Sequence, residues 1–202
     1  MLHALPGIGG DHRMYLAPWT SLPGIVAHDW MPYAGESTLQ QVAESMVRHL
    51  NIQDGDSLIG TSLGGMVALE ITRLRHIRQL ILIASALGPQ EVSPTLKFLH
   101  PMARVTPWRQ LQRGARRIPV KSPQMFAHND PDFIKTMCRA VFQWPGVVEP
   151  KVPLLRLHGR FDPVISRPSH ADLWIQGGHR INETHAHECV AWVRAHLLPD
   201  PA

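Results

Sequence analysis

The sequence predicts an α/β protein: a mostly parallel sheet flanked by helices, with a helical segment inserted between two strands. Three observations carry that prediction. Short apolar runs alternate with stretches of helical period along most of the 202 residues. Residues 79–84 (Gln-Leu-Ile-Leu-Ile-Ala) are almost wholly apolar, the pattern of a strand covered on both faces. Gly60-Thr61-Ser62-Leu63-Gly64 places a serine between glycines at the junction of an apolar run and a helical one.

Taken in order, residues 3–5 end a strand that runs into the glycine-rich loop Pro6-Gly7-Ile8-Gly9-Gly10, and residues 24–29 form a second short strand. Ser37 with Gln40 three residues later reads as a capping box. The helix it opens carries Leu39, Val42, Ala43, Met46, Val47 and Leu50 on one stripe. The turn pair Asp54-Gly55 leads into the strand 56–61, and Val67, Ala68, Ile71 and Leu74 give residues 65–75 a helical face. After the strand 79–84 the alternation stops over residues 87–147. Eight prolines fall there, which favours short helices over added strands, so the segment reads as an inserted cap on a single domain. Strands at 153–158 and 172–176 and a final helix at 183–198, with Ala186, Cys189, Val190, Val193 and Leu197 on one face, complete the pattern.

Composition sets bounds on function. With 44% hydrophobic and 18% charged residues the chain suits a soluble globular domain with one sizeable core. It has no apolar run of transmembrane length, and residues 1–7 lack the charged and apolar regions of a signal peptide, so a cytoplasmic location is expected. Cys138 and Cys189 have neither metal nor redox spacing and read as packing residues. The net charge of +4 is local: residues 92–129 contain no acid but hold Lys97, Arg104, Arg109, Arg113, Arg116, Arg117 and Lys121. Trp108, Leu111, Ala115 and Ile118 give that stretch an apolar stripe, so it reads as an amphipathic cap helix with a solvated arginine face. Attraction of anionic substrates or contact with a membrane surface is the sharper alternative. No nucleic-acid module accompanies the charge, and nucleic acid is not expected as a partner.

By composition alone a chain of this length meets G-x-S-x-G with probability ~0.07, so the surroundings of Ser62 decide its meaning. A serine hydroxyl needs a base in hydrogen-bond reach and a third group to orient that base. In parallel sheets such groups lie just beyond the carboxyl ends of strands. His179 follows the strand 172–176 through Gly177-Gly178, and Asp162 follows the strand 153–158 in His158-Gly159-Arg160-Phe161-Asp162-Pro163. Asp162 could also be a turn aspartate before Pro163. Asp29 ends a strand too, but it precedes Ser62. His185 and His187, with Glu183 and Glu188, are two apart on a helix and cannot readily share a metal ion. His158 reads as structural, and His12 and Arg13 flank the first glycine loop without an assigned role.

The order Ser62, Asp162, His179 on these loops resembles the α/β-hydrolase superfamily. Residues 158–162 look like its acid loop and residues 177–179 like its histidine loop. Pro6-Gly7-Ile8-Gly9-Gly10-Asp11 is similar to its His-Gly-x-Gly loop, with Pro6 where histidine is usual. The resemblance implies a reduced sheet of about six strands, because two strands that usually precede this loop have no counterpart. It also implies an oxyanion hole from the Ile8 and Leu63 N–H groups. A serine hydrolase acting on a small-molecule acyl substrate through an acyl-enzyme is then expected, with no cofactor and no metal. An acyltransferase with the same triad and a non-catalytic small-molecule-binding protein are the alternatives, and the oligomeric state stays open.

Overall fold

The computed structural model describes residues 1–93, 110, 113, 128–147, 149–166 and 168–198. Six strands form one sheet: β1 (Leu2–Leu5), β2 (Ile25–Ala27), β3 (Ser57–Thr61), β4 (Gln79–Ile83), β5 (Leu154–Gly159) and β6 (Leu173–Ile175). Their order is β2-β1-β3-β4-β5-β6, and every neighbouring pair is parallel. The helices are α1 (Leu39–Leu50), α2 (Leu63–Ile71), α3 (Pro131–Gln143), α4 (Ile181–Thr184) and α5 (Ala186–His196).

All five residues of β3 and of β4 are buried, as parallel strands covered on both faces require. Successive side chains point to opposite faces, so each strand feeds two cores. Leu58, Leu80 and Leu82 meet α1, α2 and α3 through Val42, Met46, Val67, Leu69, Phe133 and Met137. On the other face Ile59, Ile81 and Ile83 join Tyr15 and Trp19 from two short 3-10 turns, Ile181 from α4, and Cys189 and Val193 from α5. The chain moves outward from β1 to β2 and then returns past β1 to begin β3. That reversal opens a crevice beyond the carboxyl ends of β1 and β3.

Several elements differ in detail from the sequence reading. The second strand spans Ile25–Ala27 rather than 24–29. The N-cap of α1 is Thr38, whose hydroxyl accepts from Gln41 N–H at 3.2 Å, while the Gln41 side chain accepts from Ser37 N–H at 2.8 Å. Half of the expected box is present one residue later: Thr38 caps Gln41 N–H, while the Gln41 side chain returns to Ser37, the residue before the cap. Helix α2 stops at Ile71 rather than running to 75.

The last helix is broken at His185, which has φ −127° and ψ 35°. An unbroken helix would place His185 on the same stripe as the buried Ile181, Cys189 and Val193. The break releases that imidazole to Thr184 Oγ1, 2.9 Å from Nδ1. At its other end α5 stops at His196, where the Gln79 side chain donates to the His196 carbonyl at 2.9 Å and accepts from Leu198 N–H at 3.0 Å. Burial raises the thiols of Cys138 to about 11 and Cys189 to about 12, so both remain protonated packing groups.

Of the segment 87–147, the described parts are a 3-10 turn at Pro89–Glu91 and α3, whose N-cap Asp130 accepts from Asp132 and Phe133 N–H. Phe133, Met137 and Ala140 of α3, with Trp144 after it, pack into the core shared with α1 and α2. The Trp144 indole donates to Glu70 Oε1 of α2 at 2.8 Å. The amphipathic stripe Trp108, Leu111, Ala115 and Ile118, with Lys97, Arg104, Arg109, Arg116, Arg117 and Lys121, lies outside the described residues; Arg113 is helical and exposed. Among the described residues no helix is long and apolar enough to cross a membrane.

Candidate active site

Ser62 occupies the turn between β3 and α2 with φ 54° and ψ −119°, a conformation that costs a non-glycine residue about 1–3 kcal/mol. The flanking glycines permit it. A Cβ at Gly60 would overlap Gly65 Cα, and one at Gly64 would overlap the Pro6 and Leu5 carbonyl oxygens. The second clash also shows how closely the loop after β1 abuts the turn.

Hydrogen bonds hold the strained residue. Ser62 N–H donates to the Ile83 carbonyl at 3.0 Å, while its carbonyl accepts from Gly65 N–H at 3.0 Å and Ser85 Oγ at 2.7 Å. Below it the buried Tyr15 hydroxyl bonds to the Leu5 carbonyl at 2.9 Å and pairs with Thr61 Oγ1 at 2.7 Å, tying the ends of β1 and β3 together. Burial pushes the Tyr15 phenol far above its ordinary value, so it stays neutral.

The histidine and the acid arrive from the loops after β6 and β5. His179 Nε2 lies 3.0 Å from Ser62 Oγ, and His179 Nδ1 lies 2.9 Å from Asp162 Oδ2 and 3.1 Å from Oδ1. Phe161 N–H donates to the Gly177 carbonyl at 3.0 Å, which fastens the two loops to each other. The Asp162 side chain is 1% exposed and that of His179 20%, so the carboxylate is sealed beneath the imidazole while the imidazole reaches the surface. Asp162 Oδ1 also accepts from Val164 N–H at 2.8 Å and Ile165 N–H at 3.0 Å. One carboxylate therefore both closes the turn before Pro163 and contacts His179.

The loop Pro6–Gly10 sits beside Ser62. Its shape is kept by Gly10 N–H donating to the Gly7 carbonyl at 3.0 Å, by the Trp30 indole donating to the same carbonyl at 3.1 Å, and by Gly7 N–H pointing at Met14 Sδ. Trp30 and Met14 thus brace a loop that has Pro6 instead of a histidine. Among the described residues neither the Ile8 nor the Leu63 N–H has a hydrogen-bond acceptor, and Leu63 is the first residue of α2, where donors are free.

Other residues singled out from the sequence are placed elsewhere. Asp29 Oδ1 accepts from His12 N–H at 2.9 Å and faces His12 Nδ1 at 2.7 Å, away from His179. Arg13 is engaged with Asp11. Asp11, His12 and Asp29 bring three ligand-type atoms within 4.8 Å of one another, but the Arg13 guanidinium already occupies the Asp11 carboxylate with contacts of 2.6–3.0 Å. His185 caps the junction of α4 and α5, and His187 is exposed on α5.

Ser85, Tyr15, Trp30 and Met14 were not singled out by their sequence pattern. Ser85 had a usable signal, since it follows the strand 79–84. The others are recognisable only once β1, β3 and the loops between them are assembled.

No protein-family model and no curated relative matches the sequence. Solved structures do match. An enol-lactonase from Burkholderia xenovorans LB400 superposes with a TM-score of 0.75 at 18% identity over 95% of this chain and 88% of that one. A thermophilic esterase from Thermogutta terrifontis gives 0.72 at 18% identity over 96% and 88%, and an esterase from Exiguobacterium antarcticum gives 0.73 at 14% over 96% and 90%. The chain has the α/β-hydrolase fold. In this α/β-hydrolase fold the crevice beyond β1 and β3 is the place where Ser62, the loop carrying Ile8, and the loops carrying Asp162 and His179 converge.

Proposed function

We propose that this protein is a serine hydrolase that cleaves carboxylic esters or related acyl compounds through an acyl-enzyme. One observation carries the reading: the continuous contact from Ser62 Oγ to His179 Nε2 at 3.0 Å and from His179 Nδ1 to Asp162 Oδ2 at 2.9 Å. The fold supports it, because its solved relatives include esterases and an enol-lactonase, proteins whose substrates present an acyl carbonyl.

In the proposed cycle His179 Nε2 takes the Ser62 proton as Oγ attacks the carbonyl carbon. Asp162 keeps His179 in the tautomer that leaves Nε2 free and stabilises the imidazolium that forms. The Ile8 and Leu63 N–H groups receive the oxyanion, each worth ~10² to 10³ in rate. As the tetrahedral intermediate collapses, His179 gives its proton to the leaving alcohol and the acyl group stays on Ser62. A water then enters, loses a proton to His179 and attacks the acyl carbon, releasing the acid and restoring Ser62. The steps draw on protein groups, substrate and water alone.

A fluorophosphonate probe tests the nucleophile. It should label the wild type and leave Ser62→Ala unlabelled, with p-nitrophenyl ester turnover falling ~10⁴-fold or more in the variant. Equal labelling of both proteins would remove Ser62 from the mechanism. A wild type that neither reacts with the probe nor turns over any ester, yet binds a small molecule stoichiometrically, would replace the enzyme reading with a binding one.

A further inference from the structure

His158, next to last in β5 and four residues before Asp162, is 2% exposed, with its ring packed edge-on to Trp174 at 5.6 Å between centroids. A purely structural histidine should have its buried nitrogen satisfied. Its Nε2 is not. Among the described residues, His158 Nε2 and Asn182 Oδ1 are the buried side-chain polar atoms without a hydrogen-bond partner. That nitrogen lies 3.8 Å from Asp162 Oδ2.

The carboxylate it faces is unevenly occupied. Oδ1 accepts from Val164 N–H and Ile165 N–H and lies 3.1 Å from His179 Nδ1. Among the described residues the hydrogen-bond partner of Oδ2 is His179 Nδ1 at 2.9 Å, and the orphaned nitrogen stands 3.8 Å from the same oxygen. We propose that His158 is a positioning residue for Asp162, holding an Nε2–H toward Oδ2 so that the carboxylate shares its charge between two imidazoles rather than giving all of it to His179.

The Asp162 charge favours that tautomer over the one that would give the ring's proton to the neutral Ile165 backbone carbonyl. Burial lowers the His158 pKa, against the pull of the Asp162 charge, so the ring is neutral and carries one proton. With the proton on Nε2 an N–H dipole points at a carboxylate; with it on Nδ1 a lone pair would face a lone pair. The other charged groups nearby are Arg156 on β5 and Glu91 from the segment after β4. They pair with each other at 2.6 Å and act on His158 in opposite directions. An Nε2–H dipole facing Oδ2 draws charge from the carboxylate and weakens its hold on a protonated His179. The imidazolium that forms during the proposed cycle then surrenders its proton more readily to the leaving group.

The inference rests on the triad proposed above, but its test needs no substrate. In protein labelled with 15N at the imidazoles, long-range 1H–15N spectra should show His158 as the Nε2–H tautomer. The His179 Nδ1–H proton resonance should move downfield in His158→Phe, where the competing N–H is lost and the bond from Nδ1 to the Asp162 carboxylate strengthens. It should return toward the wild-type position in His158→Gln, whose amide N–H reaches the same place. An Nδ1–H tautomer for His158 in the wild type overturns the proposal, whether or not the variants fold. So does an unchanged or upfield-shifted His179 Nδ1–H resonance in folded His158→Phe. Because both readouts follow imidazoles and not turnover, they stand apart from failure of Ser62 to react with a fluorophosphonate.

Discussion

Ser85 Oγ donates to the Ser62 carbonyl at 2.7 Å, so the turn after β4 braces the strained turn after β3. The brace is itself anchored, since Arg156 Nη2 donates to the Ser85 carbonyl at 3.2 Å and pairs with Glu91 at 2.6 Å. Ser62 keeps other partners for its carbonyl, the N–H groups of Gly65 and Met66. Ser85→Ala should therefore cost only about 1 kcal/mol of stability, because no buried acceptor is orphaned. Its effect on the proposed reaction should be larger in proportion, because small displacements of a nucleophile are expensive in rate. We expect kcat on a p-nitrophenyl ester to fall ~10-fold with KM little changed, measured beside urea unfolding curves. An unchanged kcat would reduce Ser85 to a packing residue.

Asp162 separates two roles that one substitution can pull apart. Its Oδ1 closes a turn by accepting from Val164 and Ile165 N–H, and both of its oxygens contact His179 Nδ1. Asp162→Asn keeps an oxygen for the turn but sets an amide against Nδ1, which favours the wrong imidazole tautomer. The expected result is a kcat loss of ~10⁴ with little change in melting temperature. Asp162→Ala also strips two buried N–H groups of their acceptor and should lose on the order of 2 kcal/mol more stability. Equal stability losses in the two variants would mean that the turn does not depend on Oδ1.

The parts of this protein legible in its sequence are those in which residue type and place in the chain are tied by physics. Ser62, Asp162 and His179, which the structure brings into contact, could be picked out because groups that serve a site on a parallel sheet each follow a strand. The stripe of α1 was equally plain, since Leu39, Val42, Met46 and Val47 bury one face. What escaped depends on three-dimensional partners. Thr38 and Ser37 are interchangeable as caps until the Gln41 backbone N–H meets the Thr38 hydroxyl. The break at His185 follows from packing α4 and α5 against the sheet, which no periodicity records. The orphaned Nε2 of His158 is visible only when the distance to Asp162 is known.

A second histidine pair, away from Ser62, makes the fold sensitive to acid. His3 on β1 has Nδ1 2.9 Å from His28 Nε2 and Nε2 3.1 Å from Asp56 Oδ2, and the two rings stack at 5.0 Å. The chain is satisfied when both rings are neutral: His28 Nε2–H donates to His3 Nδ1, and His3 Nε2–H donates to Asp56. Protonating both rings would set two N–H groups against each other. Burial, and then the neighbouring His3, lowers His28 to about 4; burial also lowers His3, though Asp56 opposes it. The unfolded chain takes up these protons near 6.5 and the folded chain resists them. Stability is therefore complete above about 6.5 and falls as the pH drops toward about 4. Asp56 does not blur that window. Although burial opposes it, hydrogen bonds from Gln53 N–H, the Met1 ammonium and His3 hold its carboxyl below the ordinary carboxylate range, so its contribution is lost only in stronger acid. Urea midpoints taken at intervals from pH 7.5 to 4.5 should decline steadily in the wild type and more shallowly in His28→Gln, which retains a donor to His3 but does not titrate. A decline of equal slope in both proteins would place the acid sensitivity elsewhere.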